Sequence, residues 1–173
     1  MANVNVGFGL KPIDMLGGAP ATQGTNSYHI ASNASAIFQG SLVFATNGGT
    51  IAVSGTASAD TLKGVGVFAG CEYVSSSTGK KVFSNFWPGS GADTNFDIIG
   101  FVHDNPFQRF IICSDASLTN KAGAIETIFE NAEFSAESGK GAADGSTTTG
   151  ISAAQLDVST VDASDLSHPL KIV

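Results

Sequence analysis

The stretch from Gly64 to Trp87 constrains this chain most. It reads GVGVFAGCEYV, then SSSTGKK, then VFSNFW, a long alternation interrupted once by turn-forming residues. Val65, Val67, Ala69, Cys71 and Tyr73 fall on one face of the first run. Gly64, Gly66, Phe68, Gly70, Glu72 and Val74 fall on the other. Alternation of this length, stopped by Ser-Thr-Gly and resumed by β-branched and aromatic residues, predicts a β-hairpin. Such a hairpin is framework, and it carries no reactive group of its own.

Turn signals recur between short apolar runs along the rest of the chain. AIFQGSLVFA (36–45) reads as a strand with a bulge at Gly40. Asn47-Gly48-Gly49 is a tight turn leading into TIAVSGT (50–56). NFDIIGFV (95–102), a His103-Asp104-Asn105-Pro106 turn and FQRFIIC (107–113) follow. Residues 118–133 fit helical spacing through Ile125, Ile128, Phe129 and Ala132. They also fit strand alternation at Ile128, Glu130, Ala132 and Phe134, and a short turn followed by a strand is the favoured reading. SGKGAADGSTTTG (138–150) reads as a flexible loop by composition. ISAAQLDVS and HPLKIV read as two closing strands. The expected fold is all-β, a sandwich or barrel of short, mostly antiparallel strands with an extended N-terminal arm.

Composition agrees with that class. Only 13% of the 173 residues are charged, about half the usual ~25%, and 21 are Gly. Surfaces built from hydroxyls and glycines suit turns and short strands. Residues 1–35, containing KPIDMLGGAPATQGTN, lack periodicity until Tyr28-His29-Ile30. They read as an arm that orders against a partner or wraps its own domain, with the β domain spanning 36–173.

The formal net charge is −7 and is unevenly placed. Residues 1–92 carry four basic and three acidic groups (+1), and residues 93–173 carry four and twelve (−8). An acidic second half argues against nucleic acid as a partner, because phosphate binding needs clustered Lys and Arg. No stretch approaches the ~20 apolar residues of a membrane helix. MANVNVGFGL has neither the basic start nor the apolar core of a secretory signal. Synthesis in a reducing cytoplasm is expected, with Cys71 and Cys113 as reduced core thiols. The sequon Asn33-Ala34-Ser35 has no role in that setting.

Catalytic and ligand-binding signatures are sparse. Gly64, Gly66 and Gly70 lie among strand formers with no following Gly-Lys-Ser/Thr, so close strand packing explains them better than a phosphate loop. Asp93, Asp97, His103 and Asp104 match neither zinc nor EF-hand spacing. His29, His103 and His168 lie in no nucleophile motif. Twelve Phe against one Trp and two Tyr read as core and subunit interface, not as a carbohydrate platform. No catalytic, cofactor-binding or metal residue is predicted, and no cofactor.

A set of framework residues nevertheless forms a pattern. It comprises Ile37-Phe38-Gln39-Gly40 with Leu42-Val43, Gly66 to Tyr73, Lys81 to Pro88 and Asp104-Asn105-Pro106-Phe107. Ser146 to Ser152 and Pro169-Leu170-Lys171-Ile172-Val173 complete it. Over roughly 36–173 this pattern resembles small virion structural proteins of tailed phages, especially marine and cyanobacterial podovirus-like phages. The resemblance implies a non-catalytic capsid decoration (cement) protein on the outer shell of a phage head. It implies the major capsid protein as partner, a homo-oligomer with a trimer favoured, and assembly onto the virion after synthesis in the host cytoplasm. Two other classes stay open: a head-fibre or tail adhesin binding host-surface glycan, and a small cytoplasmic β-barrel enzyme with His103 in a pocket.

Overall fold

The structure is a computed structural model that describes residues 6–18, 20, 24–53, 64–117, 125–135, 137–162, 164 and 166–173. Several expectations fall partly outside these residues: positions 1–5, 19 and 21–23 of the arm, 54–56 after the Asn-Gly-Gly turn, and 118–124 of the helix-or-strand window. The described residues form eleven strands and no helical element beyond a turn at Ile125-Glu126. The fold is all-β, with mostly antiparallel pairing.

Six strands form the main sheet. They are β2 (Asn26–Ile30), β3 (Leu42–Ala45), β4 (Ile51–Val53), β5 (Gly64–Val74), β6 (Lys81–Ser84) and β7 (Ile98–His103). Their order is β3-β4-β2-β7-β5-β6, and a further β3–β5 pairing returns the sheet to its start. Five strands thereby close into a barrel, with β6 outside the ring as a continuation along β5. Closure is possible because β5 is eleven residues long. Its start pairs with β3, its middle with β7 and its end with β6. The seam is the parallel contact of β2 and β4, a single pairing of Ile30 with Ile51.

The expected hairpin is present as β5–β6, but its facial assignment is corrected by a bulge. Against β7 the register runs Phe68 to Val102 and then Gly70 to Phe101, leaving Ala69 as the extra residue. An inserted residue reverses the alternation beyond it. Phe68 and Cys71, predicted on opposite faces, therefore sit in one core with Ile30, Ile37, Val43, Ile51, Trp87, Ile98 and Val102. Val67 joins a second core with Leu10, Leu42, Phe44, Phe134, Ala142 and Ala154. Strand β3 feeds both, Val43 into the first and Leu42 and Phe44 into the second. That explains its unbroken apolar run, since a strand buried on both faces has no polar face to alternate with.

The second core is roofed by two smaller pieces. β9 (Asn131–Phe134), β10 (Leu156–Asp162) and β11 (Leu170–Lys171) form a three-stranded sheet with β9 central. β1 (Lys11–Met15) and β8 (Gln108–Ile111) form an antiparallel ribbon. Arg109 fastens that ribbon with a two-pronged bond to Asp14, its Nε donating to Oδ1 at 2.7 Å and its Nη2 donating to Oδ2. Fully buried Gln155 ties the sheet to the chain beyond β8, its Nε2 donating to the Ser114 carbonyl at 3.2 Å.

Two boundary expectations need correction. Residue 36 is not where the β domain begins, because β2 is a barrel strand paired with β7 over five registered positions. Residues 9–15 also lie on their own domain, through Gly9 N–H to Ala154 O (3.2 Å), Leu10 N–H to Gly40 O (2.9 Å) and β1–β8. The stretch 138–150 is anchored at points and exposed over 145–149. Ala142 is fully buried, Asn85 Nδ2 donates to Thr149 O at 2.8 Å, and Ser41 Oγ donates to Ala142 O at 2.7 Å.

The thiols differ in setting. Neither Cys71 nor Cys113 is in a disulfide. Burial pushes the Cys71 thiol up to about 12, so at neutral pH almost no thiolate is present to react. Iodoacetamide at pH 8 is expected to label Cys113 and leave Cys71 unmodified until the chain unfolds. Peptide mass spectrometry reads this directly, and equal labelling of both in the native protein would contradict it.

Candidate interaction surface

The second core is not fully covered. A trough of about 790 Å³ opens between the β1–β8 ribbon and the C-terminal segment Pro169–Val173. Leu10, Leu42, Phe44 and Val67, all buried, belong both to its lining and to the second core. Leu16, Phe107, Ile111 and Val173 also line it and are 51–61% exposed. A volume of this size falls within the range of ligand-binding clefts. Its floor is apolar, and His103, Asp104, Gln108 and Lys171 also line it.

A polar cluster lies at one end. Asn26 Nδ2 donates to both oxygens of Asp104 (3.0 and 2.9 Å), and Tyr28 Oη donates to Oδ2 at 2.5 Å. These bonds join the start of β2 to the end of β7. Burial would raise the Asp104 carboxyl. The bonds from Tyr28, Asn26 and the backbone, with His103 nearby, outweigh it and hold the group below its usual range. The bond to Asp104, then burial, then the carboxylate charge push the Tyr28 hydroxyl up. Burial lowers the pKa of His103, and the Asp104 charge opposes that in part. The His103 ring meets Phe110 edge-on at 6.4 Å.

The sign of the resulting pH dependence follows from linkage. Both folded-state values lie below the unfolded ones. His103 therefore contributes stability that is fully present above 6.5 and lost as the pH falls through its lowered value. Asp104 contributes stability present above 3.8 and lost below that in the same way. The midpoint of thermal unfolding is expected to fall between pH 7.5 and 5, and His103→Gln should flatten that slope while leaving the decline below pH 4. Calorimetry across this range checks it, and an unchanged slope in the variant would contradict the assignment.

The remaining residues weighed from sequence do not converge. Asp93 Oδ1 accepts from the backbone and side-chain nitrogens of Asn95 (3.0 and 2.8 Å), a turn contact. Asp97 lies 3.9 Å from His29, both exposed. His168, before β11, lies 3.8 Å from Glu133. Asn105 Oδ1 accepts from Phe107 N–H at 2.8 Å, the turn chemistry read from Asp104-Asn105-Pro106, whereas Asp104 reaches back to β2. Among the described residues no three His, Cys, Asp or Glu side chains group to hold a metal ion. Gly66 sits where a Cβ would fall 2.2 Å from the His103 carbonyl, so close strand approach accounts for it.

Further large apolar side chains are exposed away from the trough. Phe83 on β6 is 68% exposed, Phe96 beside the barrel end 56% and Phe129 before β9 72%. Sequence reading assigned the phenylalanines to core and interface as a group. It could not separate the two, because exposure at one strand position depends on which elements arrive from elsewhere. No protein-family model, curated protein or solved structure matches this chain.

Proposed function

We propose that this chain is a non-catalytic structural protein that decorates the outer shell of a phage head and reinforces it. The observation that carries the reading is the spread of exposed large apolar side chains over separate elements: Phe83 on β6, Phe96 at the barrel end, Leu16 and Phe107 at the ribbon, and Phe129 before β9. Apolar side chains exposed singly are ordinary, but a gathered set such as Leu16, Phe107, Ile111 and Val173 around one trough marks a contact surface. A subunit embedded in a shell meets several neighbours at once and presents apolar anchors to each. The resemblance of the framework residues to tailed-phage virion proteins supports the same role. In this reading the major capsid protein is the partner, and the chain acts as a homo-oligomer. Its net charge of −7 favours solubility before assembly.

The test is reconstitution. Purified chain is added to heads lacking it, the heads are pelleted, and bound protein is quantified against coat protein. Saturable binding in a fixed ratio, with heads that resist heat or osmotic rupture better than bare ones, is the expected result. Binding to host envelope material with none to heads would replace the reading with that of an adhesin.

A further inference from the structure

Two strand edges border the trough. Alternate residues of a strand turn their N–H and C=O groups to opposite edges. On β11, Leu170 lies opposite Ala132 of β9. Ile172 N–H bonds to Glu130 O at 3.0 Å, and Ile172 O accepts from Phe129 N–H at 3.0 Å, with Phe129 at φ 73°. Leu170 and Ile172 thus face β9, and Lys171 between them turns its backbone groups outward. On β8, Phe107 O accepts from Leu16 N–H at 2.7 Å. Counting on from Phe107, Arg109 and Ile111 face β1, and the irregularity of that pair lies on β1 between Pro12 and Asp14. Phe110 and Ile112 therefore turn their backbone groups away from β1. Among the described residues no backbone bond outside the strand ladders engages Phe110, Ile112 or Lys171.

The edge of β8 that pairs with β1 continues onto β10. Cys113 O accepts from Leu156 N–H at 2.8 Å, and Asp115 N–H bonds to Leu156 O at 2.9 Å. The order is therefore β8, β10, β9, β11, and the first and last strands both line the trough. The sheet curls round the second core as an incomplete barrel, and the trough is its gap. Open edges above an apolar floor are where strand addition occurs.

We infer that the trough takes an extended segment of another polypeptide, which enters as an added strand between β8 and β11. The floor sets one face of that segment. Phe110, Ile112 and Leu170 pack against the second core, and buried Leu42 and Val67 lie in the trough floor. The segment is apolar at every second residue, the strand period. Its outer face carries an acid. Exposed Lys171 has no ion pair among the described residues, and opposite charges on neighbouring strands attract. Arg109 is already paired with Asp14, and Asp104 holds Asn26 and Tyr28. Lys171 is thus the charge left for the partner.

Calorimetric titration of the full chain with synthetic peptides of about eight residues, an ordinary strand length, tests this. The peptides carry valine at every second position, threonine between, and one glutamate moved in turn through the outward positions. The best of the set is expected to bind saturably at 1:1. Amide exchange at Phe110, Ile112 and Lys171 should slow only when it is present. N-methylating two amides along one edge keeps the side chains and removes ladder bonds, so binding should weaken at least about tenfold. Lys171→Glu should reverse the preference, taking the peptide with lysine in place of glutamate. Any of four results would overturn the proposal: no saturable binding, equal binding of the N-methylated peptide, no reversal in Lys171→Glu, or slow exchange at those amides without peptide. The last would mean that this chain or a second copy already fills the gap. The inference stands apart from the decoration reading: strand capture is read on the chain alone and capsid binding on heads, so either can fail without the other.

Discussion

Replacing Trp87 by Ala is expected to cost about 3–5 kcal/mol and to lower the unfolding midpoint by roughly 10 °C or more. Trp87 is fully buried and meets Tyr73 edge-on at 5.3 Å between ring centres. Its indole Nε1–H donates to the Ala34 carbonyl at 3.2 Å, and its backbone exchanges two bonds with Ile37 at 2.8 and 2.9 Å. Truncation opens a cavity in the barrel core and leaves the Ala34 carbonyl without that donor. Trp87→Phe keeps most of the volume and should cost clearly less. Urea denaturation followed by far-UV circular dichroism separates the two. As the chain's only tryptophan, Trp87 also reports the wild-type transition by fluorescence. A Trp87→Ala loss within about 1 kcal/mol of zero, typical of surface positions, would contradict its placement at the centre of the core.

Gly9→Val is the second change expected to be severe. Gly9 has φ +70°, and a Cβ there would fall 2.7 Å from the Gly40 carbonyl oxygen and 2.9 Å from the Ser152 Cβ. The left-handed backbone alone costs a residue with a side chain about 1–2 kcal/mol. The clash adds to this by forcing the strip from Gly9 outward and withdrawing Leu10, 5% exposed, from the second core. A loss of about 3 kcal/mol or more is expected, since withdrawing a buried leucine is alone of that order. Gly17→Ala is the control: its φ is +93°, yet nothing lies within 4 Å of the added Cβ, so only the conformational cost applies. Thermal unfolding of the pair decides the matter. Equal, small shifts would mean that residues 9 and 10 do not pack between Gly40 and Ala154.

These residues also show how far local pattern carried. The hairpin β5–β6 was legible because its alternation is long and its turn chemistry unambiguous. The reversal at Ala69 was not, since a bulge is set by the register against β7, some thirty residues away. β2 escaped detection for a related reason. Asn26-Ser27-Tyr28-His29-Ile30 buries only Ile30 fully, too few apolar positions for a period to stand out amid Gly and Thr. The loop at 138–150 has the composition of a flexible linker, and only contacts from Ser41 and Asn85 reveal its packing. The trough draws on the ribbon, β3, β5 and the C-terminal segment, so no local motif encodes it. Phe129 is the sharpest case. A left-handed aromatic violates local preference, and sequence reasoning has no means of proposing one. His103 and Asp104 were singled out for possible metal or pocket chemistry, and the residues that surround them, Tyr28, Asn26 and Phe110, come from other strands.

The central claim, a proposed shell-decorating role, is tested most directly by looking for this 17.5 kDa chain in gradient-purified virions of the tailed-phage class it is proposed to serve, its copy number measured by quantitative mass spectrometry against the major coat protein. Lattice-wide decoration predicts a fixed stoichiometric ratio near one per coat subunit. A handful of copies per particle, or none, would contradict it.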